Sequence, residues 1–423
     1  MRATTGWAIH GLPDPNQLFA ELRQLSADGQ GVTRAAYTTS ETAALDFIAD
    51  VAKSYDLDVS RDQAANLVVT LSGQDPLAPC ILLGSHLDSV PSGGNYDGAA
   101  GVIAGLLCLI RFRRLHQTPP QNIKVLALRG EESPWFDTAC LGSRALFGEL
   151  AGDLSRTHRN TGRSLREHLE SVGAAIELIA AGRRLLCTAE VAGYYELHIE
   201  QGPVMIERNV PVAVVTGIRG ILRLPAIKCV GEEGHSGAVP REMRHDAVFA
   251  VVSLLHRMDE HWMKMIGQRQ DLVITTGVLS TNPHHHSPSR IAGDVTFSLD
   301  VRSFSRPTLE HVQTILLDEM RAIESERGVT FTPGTKYITP PEAMDTRMRS
   351  HLMRMAQRHN IPAIEMPSGS GHDAMVFARN GVPSAMIFVR NQNGSHNPSE
   401  AMEMSDFLLA SELLYQALAE KMV

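Results

Sequence analysis

Histidine and carboxylate side chains gather where an apolar run of this sequence enters a glycine-rich loop. The run CILL at 80–83 is followed by GSHLDSVPSGGNYDG, which carries His86, Asp88 and Asp97. Imidazole and carboxylate groups without cysteine suit zinc, manganese, cobalt or nickel. The segment therefore predicts a divalent-metal site, provided that other parts of the chain supply further ligands.

Residues of the same types stand at other predicted strand ends and loops, each flanked by glycines or turn residues. They are the pair Glu131 and Glu132, His198 in ELHIEQGP, and His396 in GSHNPSE. Taken singly, a histidine at a strand end is more often a structural residue, and adjacent glutamates are more often a solvated turn. With His86/Asp88 and Asp97, these make five positions in one chain, and that number favours a shared site.

The local spacing predicts different roles for these side chains. A carboxylate between two metal ions holds them about 3.5–4 Å apart, and we predict that Asp97 is this bridge. In an extended segment His86 and Asp88 point to the same side, so Asp88 can accept the far N–H of the imidazole. Glu131 and Glu132 point oppositely, so only one need bind metal and the other can take a proton from water.

The hydrophobic pattern on either side of the middle of the chain predicts an α/β domain. Strand-length apolar runs alternate with helical patterns, which is typical of helices flanking a central mixed, largely parallel sheet. The predicted strands are 66–71, 80–84, 123–128 and 385–389, and the predicted helices are 97–114, 348–359, 373–380 and one from residue 406. Ligands of open α/β sheets bind beyond the carboxyl ends of the strands, where the polar clusters are expected to meet.

The middle of the chain predicts a separate α+β domain with the ferredoxin-like order β-α-β-β-α-β. Its elements are predicted at 222–230, 241–262, 272–279, 294–302, 308–322 and 329–332. The face of the first helix that is expected to be apolar and buried consists of Val248, Val251, Val252, Leu255 and Met258. We place this inserted domain at 217–332 and a discontinuous catalytic domain at 1–216 and 333–423.

Composition argues against several classes of protein. A net charge of −8 on 423 residues offers no basic stripe for a nucleic acid. The apolar segment 98–110 is too short to cross a bilayer, and the N-terminus MRATTGWAIHGLPDP carries no export or organelle signal, so a cytoplasmic location is expected. The five cysteines form no CxxC pair, and we interpret them as small core residues, with a reactive Cys140 as the alternative.

Several motifs together resemble the metal-dependent amidohydrolase branch of the M20 peptidase family. This hydantoinase/carbamoylase group contains N-carbamoyl-L-amino acid hydrolases and allantoate amidohydrolases. The motifs are HLDSVPSGGNYDG, the EE pair with the later LGSRAL, ELHIEQGP, TGIRG, SGSGHDA and GSHNPSE. ELHIEQGP has a histidine where M20 peptidases mostly carry a carboxylate, and the resemblance extends over essentially the whole chain.

The resemblance implies two divalent metal ions, zinc first, with manganese, cobalt or nickel as alternatives. It assigns His86, Asp97 and His198 to one ion, and Asp97, Glu132 and His396 to the other. Glu131 would be the general base and acid.

The resemblance also implies an inserted lid that forms a homodimer and lends His235 to polarise the scissile carbonyl. Gln201 matches a substrate-contacting glutamine, and Arg302 matches an arginine that binds the substrate carboxylate, for which its forked geometry is suited. Lid closure would bring Arg302 to that carboxylate, with a hinge near 217–220.

Three segments depart from the family pattern. Relatives carry Asn-x-Ile-Pro-Gly where this chain reads SRIAG, so Ser289 replaces a substrate-binding asparagine. The loop before it contains His284, His285 and His286, which we interpret as a solvated loop, with an altered substrate pocket as the alternative. Arg390, before the last histidine motif, is a candidate for an extra anion contact.

The expected reaction is hydrolysis of the C–N bond of an N-carbamoyl-L-amino acid or a related ureido acid, with release of ammonia and CO2 or the free amine. The substrate would be a small molecule with a carboxylate. An N-acyl-amino-acid deacylase or a dipeptidase is the alternative enzyme. A non-catalytic metal-binding association protein is the alternative of another class, and the presence of Glu131 argues against it.

Overall fold

The computed structural model describes Trp7 and residues 11–420, so most of the N-terminal segment judged for a targeting signal lies outside the described residues. The chain forms two compact units. One contains the residues up to Thr216 and those from Ala343 onward, and the other is Gly217–Glu342.

The helices and strands are numbered here in chain order. The helices are α1 Pro15–Gln24, α2 Thr39–Ser54, α3 Ala99–Arg114, α4 Leu141–Leu146, α5 Leu165–Ser171, α6 Ile176–Ala180, α7 Val204–Glu207, α8 Ala247–Gly267, α9 Arg306–Arg327, α10 Thr346–Arg358, α11 Asp373–Arg379 and α12 Met404–Ala419. The strands are β1 Asp58–Arg61, β2 Leu67–Leu71, β3 Cys80–His86, β4 Ile123–Leu128, β5 Val191–Ile199, β6 Val212–Ile218, β7 Gly220–Val230, β8 Gly234–His235, β9 Val273–Thr275, β10 Leu279–Thr281, β11 Arg290–Ile291, β12 Asp294–Ser303, β13 Thr330–Thr332, β14 Tyr337–Thr339, β15 Glu342–Ala343, β16 Ala363–Ser368, β17 Ser384–Val389, β18 Asn391–Gln392 and β19 Ala401–Met402.

The first unit is built on one mixed sheet. Its strands follow the order β1-β2-β4-β3-β5-β17-β6, and β16 also pairs with β6. The central strands β4, β3, β5 and β17 run parallel, whereas β1, β2 and β6 join antiparallel. The parallel strands β3 and β4 need a crossover connection, which α3 provides. The predicted α/β class with a mixed sheet flanked by helices is confirmed.

Helix α3 is the most deeply packed helix against this sheet. Its residues from Ala99 to Phe112 are all buried. They pack with the apolar faces of β3, β5 and α12 in one core. A helix that is apolar almost all round belongs in a protein core. No helix in the described part of the chain is long and apolar enough to cross a membrane.

The second unit is an antiparallel sheet covered by α8 and α9. The strand order is β10-β12-β7-β13, with β9 also on β12 and β14 also on β7. This strand order is the ferredoxin-like arrangement expected for the order β-α-β-β-α-β. The unit extends to Glu342, beyond the predicted limit at 332, because Tyr337–Thr339 pairs with Ile221, Leu222 and Arg223 of β7.

Two predicted elements of the second unit differ in detail. The predicted helix 241–262 begins only at Ala247, because the Asp246 carboxylate accepts hydrogen bonds from the first turn and caps it there. The predicted strand 272–279 is two short strands, β9 and β10, which pair with different parts of β12.

The buried face of α8 was also predicted partly wrongly. Its core residues are Ala247, Ala250, Val251, Leu254, Met258 and Met265. Val248 and Val252 are 36% and 51% exposed. The buried face of the helix is rotated about the helix axis by about one residue relative to the predicted face. Among the cysteines, Cys187 is exposed, and its interpretation as a core residue was wrong.

Candidate metal centre

Four adjacent parallel strands deliver the predicted metal ligands to one edge of the sheet. His86 is the last residue of β3, and His198 lies near the end of β5. Glu131 and Glu132 follow the end of β4, and His396 follows β17 after the short strand β18. Because β4, β3, β5 and β17 are neighbours in the sheet, their carboxyl ends form one continuous edge.

Asp97 lies at the centre of this cluster, and its two oxygens face different partners. Oδ1 is 3.1 Å from His198 Nε2 and 3.4 Å from His86 Nε2. Oδ2 is 3.6 Å from His396 Nε2, which is itself 3.3 Å from Glu132 Oε1. Two of the groups whose ligand atoms lie within 4.8 Å of one another share Asp97: one includes His86 and His198, and the other includes Glu132 and His396.

The cluster fits a divalent metal ion. Asp97 Oδ1 and Glu132 Oε1 are buried, and within the described part of the chain they have no hydrogen-bond donor of acceptable geometry. A buried carboxylate oxygen without a partner is costly, and a cation removes that cost. Neutral imidazoles and carboxylates are ordinary ligands of zinc and manganese. The described residues therefore form a candidate metal centre.

The electrostatic field of the cluster favours positive charge. Burial lowers the pKa of His86, but the neighbouring carboxylates of Asp88 and Asp97 outweigh burial and raise that pKa well above its usual value. The Glu132 carboxylate, 3.3 Å from the ring, raises the pKa of His396 to about 9. Burial raises the pKa of Asp97, but the charges of His198 and His86 hold it well below the usual value. A site that draws protons onto its imidazoles is equally suited to attract a metal cation.

Glu131 belongs to the same cluster but stands apart from the shared carboxylate. Its Oε2 is 3.9 Å from His86 Nε2, and the residue is 9% exposed. Burial and the charge of Glu132 raise the pKa of Glu131 well above its usual value, although His86 opposes them. A carboxyl group with a raised pKa can both accept and return a proton near neutral pH.

Asp88 holds two parts of the site together. The His86 Nδ1 atom is 3.0 Å from the backbone oxygen of Asp88 and 3.4 Å from its Oδ1. The carboxylate also accepts hydrogen bonds from the backbone N–H groups of Glu131 and Glu132, both at 3.0 Å. This second contact, which sequence reasoning missed, fixes the direction of the glutamate pair.

The approach of His86 to the start of α3 requires glycine at position 98. Gly98 has φ +66°, and a Cβ atom added there would lie 2.5 Å from the His86 ring. The glycine also donates its N–H to His198 Nε2 at 3.3 Å. The loop that carries Asp97 can therefore lie against both imidazoles only with glycine there.

Two residues of the motif GSHNPSE anchor Asp97, and sequence reasoning assigned neither. Ser395 Oγ lies 2.5 Å from Asp97 Oδ2 and 2.6 Å from Glu400 Oε2. Glu400 Oε1 accepts the backbone N–H groups of Tyr96 and Asp97 at 2.8 and 3.2 Å. Their position in the same motif as His396 was the only signal in the sequence.

His372 lies in the motif SGSGHDA, and the sequence predicts no role for it. It is buried, its ring centre lies 4.5 Å from that of His198, and its Nε2 is 2.9 Å from Ser368 Oγ. Burial and the charge of His198 hold the pKa of His372 well below its usual value, so the ring is neutral.

Gln201, predicted to bind substrate, lies at the cluster. Its side-chain NH2 group donates to Asp97 Oδ2 at 2.8 Å, and its Oε1 is buried without a hydrogen-bond partner among the residues that the structure describes. Arg390 contacts Asp406 at 2.7 Å and Asn209 at 2.8 Å. Its charge is thus already balanced by Asp406, which favours a structural role over the anion contact considered from the sequence.

Three predicted site residues lie in the second unit. His235 ends β8 and pairs across a short ladder with Arg290 of β11, and Ser289 precedes that strand. Arg302 lies on β12 and donates from Nε to Asp300 at 2.8 Å. The side chains of His284, His285 and His286 are exposed, and His285 pairs with Glu233. None of these three consecutive histidines belongs to a candidate metal group within the described residues.

Comparison with known proteins gives relatives along nearly the whole chain. An N-carbamoyl-L-amino acid amidohydrolase of Geobacillus stearothermophilus is 30% identical over 407 residues, which cover 94% of this chain and 96% of the relative. An allantoate amidohydrolase of Escherichia coli K12 is 30% identical over 352 residues, 83% of each chain. The crystal structure of a hydantoinase/carbamoylase family amidase from Burkholderia ambifaria has a TM-score of 0.83 at 28% identity, with 96% of each chain covered.

These relatives confirm the resemblance that the motifs indicate. The family model for peptidase family M20/M25/M40 matches residues 82–420, a range that contains every residue of the metal cluster. With that match, and with the ligand types found at the ends of β3, β4, β5 and β17, this chain belongs to the peptidase family M20/M25/M40.

Proposed function

We propose that this protein is a metal-dependent amidohydrolase that cleaves a C–N bond of N-carbamoyl-L-amino acids or related ureido acids such as allantoate. The products would be ammonia with CO2 and the free amine. The observation that carries the proposal is the Glu131 carboxylate beside a cluster of metal-ligand residues, of which all but His396 are buried. The named activities of the two relatives at 30% identity support this substrate class over an N-acyl or peptide substrate.

We further propose that the cluster holds two divalent ions, zinc first, that share Asp97. His86 and His198 would complete one ligand set, and Glu132 and His396 the other. When bound, such ions polarise the substrate carbonyl and lower the pKa of water to about 7. The two ligand sets that meet at Asp97 support this number of ions.

Glu131 is proposed to move the proton. It accepts a proton from the attacking water as the oxygen bonds to the carbonyl carbon, and it returns that proton to the nitrogen as the C–N bond breaks. Burial raises the pKa of Glu131, which makes its carboxylate a stronger base for the first step. Asp88 supports this role because its carboxylate fixes the backbone of Glu131.

Substrate binding is assigned from the resemblance. His235 is proposed to stabilise the negative charge that develops on the carbonyl oxygen, and Arg302 to bind the substrate carboxylate. Gln201 and Ser289 are proposed as further substrate contacts. The buried Gln201 Oε1 without a partner supports this role, since a substrate N–H group could donate to it.

A substrate panel tests the reaction. The metal-reconstituted protein is expected to release ammonia from N-carbamoyl-L-amino acids or allantoate, with kcat/KM at least about a hundredfold above that for N-acetyl amino acids and dipeptides. Ammonia is measured by a coupled assay and free amine by derivatisation. Faster release of amine from N-acyl amino acids or dipeptides, without ammonia, would assign a deacylase or peptidase instead.

The second unit is proposed to form a homodimer. One face of α8 exposes apolar side chains, namely Val248, Phe249, Val252, Met263 and Ile266. The edge strand β10 also exposes Leu279, at 55%. Exposed apolar faces of this extent and open sheet edges commonly mark protein–protein contacts, which supports the dimer that the resemblance implies.

The dimer is tested by placing charge on α8. The double variant Phe249→Glu with Val252→Glu is expected to be a monomer by light scattering where the wild type is a dimer, because two carboxylates would be desolvated in the contact. The control is Leu77→Glu, which places the same charge on an exposed leucine of the first unit. This variant should remain dimeric. A wild-type monomer, or a dimeric double variant, contradicts the proposal.

A further inference from the structure

We propose that Cys140 is a positioning residue for Glu131: its thiol donates a hydrogen bond to Glu131 Oε1 and so keeps Oε2 directed at the metal-ligand cluster. The Sγ atom lies 3.3 Å from Oε1, whereas Oε2 lies 3.9 Å from His86 Nε2. The inference rests on the proposed function, in which Glu131 transfers the proton.

Backbone hydrogen bonds fix Cys140 in this place. Its N–H donates to the Glu131 carbonyl at 2.9 Å, and the next two N–H groups donate to Gly130 and Arg129, both at 2.8 Å. The segments 129–131 and 140–142 therefore lie side by side. Cys140 adopts φ +56° and ψ +42°, a left-handed conformation that costs a non-glycine residue about 1 kcal/mol and is held here by these bonds.

The thiol is the only group in residues 11–420 that donates a hydrogen bond to the Glu131 carboxylate. Burial and the nearby charge of Glu131 raise the pKa of Cys140 well above its usual value, so the thiol keeps its proton and acts as a donor. Without that donor, the carboxylate could rotate about its last torsion, which is a broad and soft one.

Within residues 11–420, the other buried cysteines have no comparable contact. Cys108 is fully buried in α3 and donates only a long hydrogen bond to the Ser411 carbonyl, at 3.8 Å. It represents the ordinary case of a cysteine that fills space in a core. The interpretation of all five cysteines as core residues therefore overlooks the one that contacts the proposed proton-transfer group.

Kinetics of two variants test the role. An S–H···O bond is weak, so Cys140→Ala is expected to lower kcat by about tenfold with KM within about twofold, a loss of about 1.4 kcal/mol in the transition state. Cys140→Ser restores a donor and should recover most of kcat. Cys108→Ala, which removes a buried thiol of the same unit, should leave kcat and KM unchanged.

Metal content and thermal unfolding are measured for each variant. A Cys140→Ala variant with wild-type kcat overturns the proposal. So does a Cys140→Ser variant that is as slow as Cys140→Ala although folded and metal-loaded.

A spectroscopic measurement separates this inference from the proposed function. The S–H stretching band of Cys140 is obtained as the infrared difference between wild type and Cys140→Ala. We expect a band at low frequency, because the thiol is hydrogen-bonded, and a shift to higher frequency in Glu131→Ala. If the frequency of the band is the same in Glu131→Ala as in the wild type, the proposed contact is wrong. If no substrate of the panel is hydrolysed, the proposed function fails while this band still reports whether the contact exists.

Discussion

Glu131→Gln is expected to lower kcat by about a thousandfold while the protein keeps its metal. Glutamine has nearly the same shape, but its amide cannot accept a proton from water, and proton transfer by a positioned side chain contributes about 10²–10⁴ in rate. In the proposed arrangement the ligands are His86, Asp97, Glu132, His198 and His396, so metal content should not change when Glu131 is replaced. Stopped assays for ammonia and elemental analysis of the same sample measure the two quantities.

A buried carboxylate elsewhere in the same unit provides the control for this substitution. Glu412 is buried and pairs with Arg111 at 2.6 Å, and neither residue belongs to the metal cluster. Glu412→Gln should lower the melting temperature with kcat unchanged, because breaking a buried ion pair is costly to stability. Unchanged turnover in Glu131→Gln would remove Glu131 from the reaction.

Asp97→Asn is expected to lose both metal and activity. An asparagine side chain offers one neutral oxygen, whereas Asp97 presents one oxygen to His86 and His198 and the other to His396. Since the cluster depends on the negative charge of this residue, we expect kcat/KM to fall by at least about a thousandfold. Metal bound after dialysis, measured per chain by elemental analysis, should fall below one ion.

The exposed Asp50 on α2 is the control for Asp97→Asn. Asp50→Asn should keep wild-type metal content and turnover. If Asp97→Asn folds and still binds two ions per chain, the shared carboxylate is not needed and the proposed arrangement of ligands is wrong. Circular dichroism of each variant separates loss of metal from loss of fold.

The pattern of hydrophobic residues predicted β2, β3, β4 and β17 of the first unit, because buried strands are often continuous apolar runs. It did not predict β1, β5 or β6 of the same sheet. The run Ile123–Leu128 is a strand over the predicted residues, and Cys80–His86 extends the predicted one by two. In the second unit the predicted start of α8 is wrong, because the helix begins at a cap. Asp246 fixes that start through its side chain, which periodicity does not detect.

The types of residue in the metal cluster were evident from the sequence, whereas the groups that orient them were not. His86 and Asp97 are recognisable because imidazoles and carboxylates in glycine-rich loops are typical of metal ligands. Glu400 acts on the backbone of Asp97 from a segment 303 residues away along the chain. Such a contact depends on the packing of distant loops, and no local pattern encodes it.

Anomalous scattering from crystals of the metal-loaded protein tests the central claim most directly. Data at the zinc absorption edge should give two peaks on either side of the Asp97 carboxylate, about 3.5–4 Å apart. One peak should lie among His86, Asp97 and His198, and the other among Asp97, Glu132 and His396. A cluster without peaks, or ions held by other side chains, would contradict the account.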